Sequence, residues 1–69
     1  MRSEIKKFGK RIREIRLKKK MSQGDVAEIL GVHRTYISSM ERGLRNPSLL
    51  TIKKFAQAFG IKTKDMLNF

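Results

Sequence analysis

The 69-residue chain has no cysteine and no tryptophan, a single proline, a single histidine and only six acidic residues. Without cysteine neither a disulfide framework nor a thiolate zinc site can form, and the lone His33 cannot hold a metal by itself, so the fold must rest on packing. No apolar run approaches the ~18–20 residues of a membrane span, and the N-terminus lacks the apolar core of a signal peptide. A cytoplasmic protein with no membrane partner is expected. Nothing resembles a metal cluster, a phosphate-binding glycine loop or a nucleophile beside a base, which argues against an enzyme, a cofactor or a small-molecule substrate. The aromatics, Phe8, Tyr36, Phe55, Phe59 and Phe69, fall mostly at core positions. They leave no platform on which RNA bases would stack.

The shortage of acid is matched by an excess of base. Seventeen Lys and Arg give a net charge of +11, a surplus that calls for a polyanionic partner, nucleic acid first. Residues 1–20 carry ten of these cations and two of the acids. Most of the electrostatic attraction therefore belongs to the N-terminal segment. A chain this short makes one domain, residues 1–69, which buries about 60% of its unfolded surface and has little room for a catalytic cleft.

Apolar periodicity predicts five helices and an all-α fold. Ile5, Phe8, Ile12 and Ile15 mark one face of a helix over residues 3–19, whose other faces are Lys and Arg. Ser22 is a natural N-cap with Asp25 three residues on, and Val26, Ala27 and Leu30 form the inner face of a short second helix. Gly31 supplies the left-handed residue that ends it. A third helix starts near His33, with Ile37 and Met40 inward, and Gly43 closes it. Asn46-Pro47 marks a boundary, since the residue before proline avoids the helical region. Ser48 caps a fourth helix with Leu49, Ile52, Phe55, Ala56 and Phe59 on its apolar face, Gly60 ends it, and residues 63–68 form a last short helix. The expected core is Phe8, Ile12, Ile15, Val26, Ala27, Leu30, Ile37, Met40, Leu49, Ile52, Phe55, Phe59 and Met66. Leu44 and Leu50 fall outside it and are candidates for a partner surface.

Residues 22–43 thus read as a helix-turn-helix. Arg34, Thr35, Ser38 and Ser39 face outward on its second helix, and they are hydrogen-bonding side chains of the kind that read base edges in the major groove. Arg16, Met21-Ser22-Gln23, Ala27, Gly31, Tyr36-Ile37-Ser38, Glu41-Arg42-Gly43, Asn46-Pro47-Ser48-Leu49 and Ala56 to Ile61 occur together at a spacing that resembles the Cro and phage-repressor type of helix-turn-helix domain, the XRE family. The segment HRTYISSMERGLRNPS is most similar to restriction-modification controller proteins and small prophage regulators. The resemblance implies a compact, five-helix, lambda-repressor-like domain that binds a palindromic double-stranded DNA operator as a homodimer, a repressor or autoregulator with no cofactor.

In such domains the recognition helix enters the major groove with its N-terminal residues against the bases, which places Arg34, Thr35, Ser38 and Ser39 there, Arg34 first because arginine donates two hydrogen bonds to guanine. Gln23 in the first turn of helix 2 is expected at a phosphate, as are Arg42, Arg45, Asn46 and Ser48 around the loop after helix 3. Tyr36 either lies along the backbone through its hydroxyl or leans on helix 2. His33 departs from the short capping residue usual in the family. Either the helix start frays until DNA arrives or His33 itself touches the backbone. The family commonly joins helix 1 to helix 3 through a pair such as Arg16 and Glu41, which makes that pair structural. Glu28 resembles the acidic surface with which some members touch RNA polymerase. Ile61, Leu67 and Phe69 exceed what a short closing helix can bury, and the family commonly dimerises there, with Leu50 at the border. Two other classes compete: an antitoxin that also captures a partner protein, disfavoured by the lack of a spare segment, and a non-specific binder of RNA or anionic membrane through helix 1.

Overall fold

The computed structural model describes residues 2–69, and its five helices are α1 (Arg2–Lys18), α2 (Gln23–Leu30), α3 (Arg34–Glu41), α4 (Leu49–Phe59) and α5 (Thr63–Met66). Local sequence sets most of the boundaries. The Ser22 hydroxyl accepts from the Asp25 N–H at 2.9 Å while the Asp25 carboxylate accepts from the Ser22 N–H at 2.8 Å, a complete capping box. Hydrogen bonding from the Ser22 backbone, reinforced by its side chain, holds the Asp25 carboxyl below its ordinary range. This stabilisation is in place above the usual aspartate pKa of about 3.9 and is lost as pH falls through the lowered folded-state value. Gly31 and Gly60 end α2 and α4 at φ 72° and 68°. Ser48 caps α4 through the Thr51 N–H at 3.1 Å. Among the expected boundaries the last differs most: α5 stops at Met66 rather than residue 68, and its N-cap, Lys62, makes no side-chain cap.

α1 lies across α3 and touches α4 and α5, while α2 packs on α3 and α4, so every helix shares one core. Ile12, Val26, Ile37, Met40, Phe55 and Met66 are wholly enclosed. Phe8 meets Phe55 edge to face at 6.3 Å between ring centroids, the arrangement that suits aromatic quadrupoles. Three expected core residues need correction. Leu30 and Ile52 are half-buried at the margin, and Leu49 is 75% exposed. Leu49 opens α4, and the inward stripe Ile52, Phe55, Ala56, Phe59 begins one turn later, so the first residue overhangs the core. Ala56, in contrast, is buried.

Gly9 lets α1 and α3 approach closely. A Cβ there would sit 2.5 Å from the Met40 carbonyl oxygen and 2.7 Å from that of Glu41. Both obstacles are backbone, so relief requires the helices to part. Gly9→Ala should therefore cost roughly 1–3 kcal/mol by overpacking, despite an intrinsic helix preference of up to about 1 kcal/mol for alanine. Gly24→Ala is the control, because its Cβ would meet only the Ser22 hydroxyl at 3.6 Å. Urea denaturation should show opposite signs for the two; equal stabilisation would mean that the α1–α3 approach is not fixed by Gly9.

Candidate nucleic-acid interface

α3 is eight residues long and buries only Ile37 and Met40, so its opposite side is free to face a partner. Arg34 and Thr35 are exposed in its first turn, whereas Tyr36, Ser38 and Ser39 are half-buried. His33 is the N-cap, and its Nδ1 lies 3.5 Å from the Thr35 N–H and 3.1 Å from the Thr35 hydroxyl. In the tautomer with the proton on Nε2, the ring accepts from both. The imidazole thus takes the place of a short capping side chain, and the helix start is formed.

A chain of polar contacts runs from α1 to this exposed turn. Arg16, the buried charged residue of the core region, donates through Nε to Glu41 Oε2 at 2.6 Å, through a second nitrogen to Glu41 Oε1 at 3.1 Å and through the third to the Met21 carbonyl at 3.0 Å. Glu41 Oε1 also accepts from the Gln23 amide at 3.2 Å, and the Gln23 carbonyl oxygen accepts from the Arg34 guanidinium at 3.3 Å. The Arg16–Glu41 pair is bidentate and each of its side-chain nitrogens and oxygens has a partner, the condition under which buried charges are tolerated. Gln23, expected at a phosphate, bridges this pair to Arg34, its amide set from the first residue of α2 between the two ends of α3.

A second cluster runs along α3 to the loop after it. The Arg45 guanidinium lies over the Tyr36 ring, 5.1 Å from its centroid, and its Nε donates to the Ser39 hydroxyl at 2.8 Å. Ser39 in turn donates to the Tyr36 carbonyl at 2.9 Å. Its hydroxyl is thus engaged within the cluster, while Arg34 and Thr35 keep exposed polar groups. Arg42 and Asn46 are exposed, and Asn46 shares a shallow hollow with Lys6, Leu44 and Arg45. Ser48 is occupied in capping α4. Most of the polar residues expected at DNA therefore fall into two groups, Gln23, His33, Arg34 and Thr35 around the start of α3, and Tyr36, Ser39, Arg42, Arg45 and Asn46 along the helix and the loop after it, while Ser38 is half-buried in mid-helix.

The apolar residues expected at a second copy lie away from α3. Leu50, Leu67 and Phe69 are 62%, 46% and 49% exposed, and Leu67 and Phe69 line one apolar hollow with Ile5, Phe8, Pro47 and Ile52. Ile61 is half-buried against the core, which assigns most of its surface to the monomer. Glu28 is exposed on α2, next to Ile29 at 58%. Sequence reasoning missed Gly9 and the left-handed Lys20, at φ 57°. An isolated glycine inside a strongly periodic helix was a usable signal for the first. Nothing in the sequence marks the second.

Two short helices at a glycine turn, the second presenting an exposed arginine and threonine between basic clusters, define a helix-turn-helix DNA-binding protein. The chain belongs to the Helix-turn-helix family, HTH_3, whose model matches residues 12–66. It is 51% identical over 63 residues to "Control protein C.BamHI" of Bacillus amyloliquefaciens, covering 90% of this chain and 78% of that one. It is 41% identical over 54 residues to the "Immunity repressor protein" of Bacillus phage phi105, covering 78% of this chain and 38% of that one. The crystal structure of the restriction-modification controller protein C.AhdI from Aeromonas hydrophila superposes with a TM-score of 0.88 at 41% identity, covering 93% of this chain and 97% of that one. The chain is a transcriptional regulator close to the restriction-modification controller proteins, and not an enzyme. No helix among the described residues is long and apolar enough to cross a membrane.

Proposed function

We propose that this regulator binds a palindromic DNA operator as a homodimer, with α3 in the major groove, and acts as the controller of a restriction-modification system. The observation that carries the reading is Arg34, exposed at the first position of α3 and bonded to Gln23, which is itself held by the Arg16–Glu41 pair. An arginine so placed can turn its two donors to a guanine edge without first being ordered. Arg42, Arg45 and Asn46 supply phosphate contacts beside it. The apolar hollow at Leu67 and Phe69 supports pairing of two copies. A contact of Glu28 with RNA polymerase belongs to the same reading, supported by an exposed carboxylate that, unlike that of Asp25, is not engaged in a cap.

Arg34→Ala tests the reading. It should cost roughly 1–3 kcal/mol on the cognate duplex and relax the preference at one base per half-site, while binding to random duplex changes little. With about six to eight phosphates neutralised per dimer, log K should fall with log salt at a slope near −5 to −7. Equal losses on cognate and random duplexes would make Arg34 a phosphate contact, and a slope near zero would remove DNA as the partner.

A further inference from the structure

Beside the core stripe of α1 runs a second one, Lys6, Gly9, Arg13 and Arg16, at steps of three and four residues along one side of the helix, and Lys20 follows in the turn after the helix ends at Lys18. Three contacts fix its direction. Gly9 abuts the carbonyls of Met40 and Glu41, Arg16 pairs with Glu41, and Lys6 packs on Gly43, where a Cβ would lie 2.9 Å from the lysine Cγ. All the partners belong to the end of α3 and the turn after it, so this side of α1 borders the recognition helix. Glu41 neutralises Arg16. What remains is Lys6, Arg13 and Lys20, each exposed, with no acidic side chain in the stripe. The acidic residues of α1, Glu4 and Glu14, fall at other positions around the helix.

The two ends of the stripe meet the two polar clusters. Lys6 lines the hollow that holds Arg45 and Asn46, and Lys20 stands in the turn just before Ser22 and Gln23. Lys20 is also the one non-glycine residue at positive φ among the described residues, in a conformation that glycine adopts more easily. The turn itself is closed by backbone bonds, Lys20 N–H to the Leu17 carbonyl and Met21 N–H to that of Arg16, and makes no use of the lysine side chain.

We propose that Lys6, Arg13 and Lys20 form a phosphate track that lays α1 along the DNA backbone and joins the two clusters flanking α3. The proposal rests on the DNA-binding reading and adds its sequence-independent part. From Lys6 to its end at Lys18 the helix rises about 18 Å, with Lys20 in the turn just beyond, enough to follow several phosphates of one strand.

The test compares two double variants that remove the same charge from different sides of α1, Arg13→Gln with Lys20→Gly, and Lys7→Gln with Lys18→Gln. Binding to a selected operator duplex and to a scrambled one is measured over a salt series. The first pair should weaken both duplexes roughly tenfold or more near physiological salt and make the log K slope shallower by about 0.9 for each phosphate left without its cation; the second should leave the slope unchanged. Lys20→Gly alone should melt a few degrees higher than the parent while binding more weakly, which separates the effect from unfolding. Equal losses and equal slopes for the two pairs, or a Lys20→Gly protein that is more stable and binds undiminished, would overturn the track. If the parent does not prefer operator to scrambled duplex, the regulator reading fails, and the slopes still decide the track.

Discussion

Glu41→Ala is expected to bring the domain close to unfolding at 37 °C. The Glu41 side chain is 4% exposed and that of Arg16 10%, so removing the carboxylate leaves a guanidinium enclosed with two of its three bonds gone. Breaking a buried pair in this way costs about 3–5 kcal/mol. A domain of this length has roughly 3–10 kcal/mol in total, from the ~0.05–0.15 kcal/mol per residue of ordinary proteins. The loss therefore takes a large part of the stability. Urea denaturation should show it as a much lower midpoint at unchanged slope. Replacing both partners, Arg16→Met with Glu41→Leu, should recover most of the loss, because no charge is left unpaired. That recovered protein should still bind operator less selectively than the parent, since Gln23 is then without the carboxylate that holds its amide toward Arg34. A Glu41→Ala protein within about 1 kcal/mol of the parent would show that water reaches the pair and that the network contributes little.

Leu67→Glu combined with Phe69→Glu should lower operator affinity by orders of magnitude and leave a folded monomer. One recognition helix reads only a few base pairs, so two-fold pairing is what gives a domain of this size a usable site. Both side chains are about half exposed at the rim of one apolar hollow, and neither is enclosed in the core. Charges there are hydrated in a monomer and repel across a two-fold contact. Sedimentation should report a monomer with the helical content of the parent. A variant that stays dimeric places the contact elsewhere, at Leu50 and Leu49 for example, and one that unfolds assigns Leu67 and Phe69 to the core.

The parts of the fold legible in the sequence were those carried by local signals. Ser22 with Asp25, Gly31, Ser48 and Gly60 each mark a helix end by their own chemistry, and each is found there. The stripe through Phe8, Ile12 and Ile15 faces the core as its period required. Less legible was anything that depended on where a helix end meets its neighbours. Leu49 is as apolar as Ile52 but lies one turn outside the packed stripe, and α5 is cut short beyond Met66. In the candidate interface, exposed Arg34 and Thr35 follow from the period of α3, whereas Ser38 and Ser39, expected outward with them, are half-buried. The bonds of the interface do not follow from the period, because Gln23, Glu41 and Arg34 come from three helix ends that the sequence does not bring together. Ser39 shows the same limit. Its spacing gives an outward hydroxyl, but only the fold sets Arg45 and Tyr36 against it.

Selection of bound sites from a random duplex pool tests the central claim most directly. The predicted result is enrichment of a two-fold symmetric sequence whose half-site centres lie about one helical turn, ~34 Å, apart, with one guanine per half-site that is no longer selected when Arg34→Ala protein is used. Enrichment of no sequence, or of a single asymmetric site unchanged by Arg34→Ala, would contradict it.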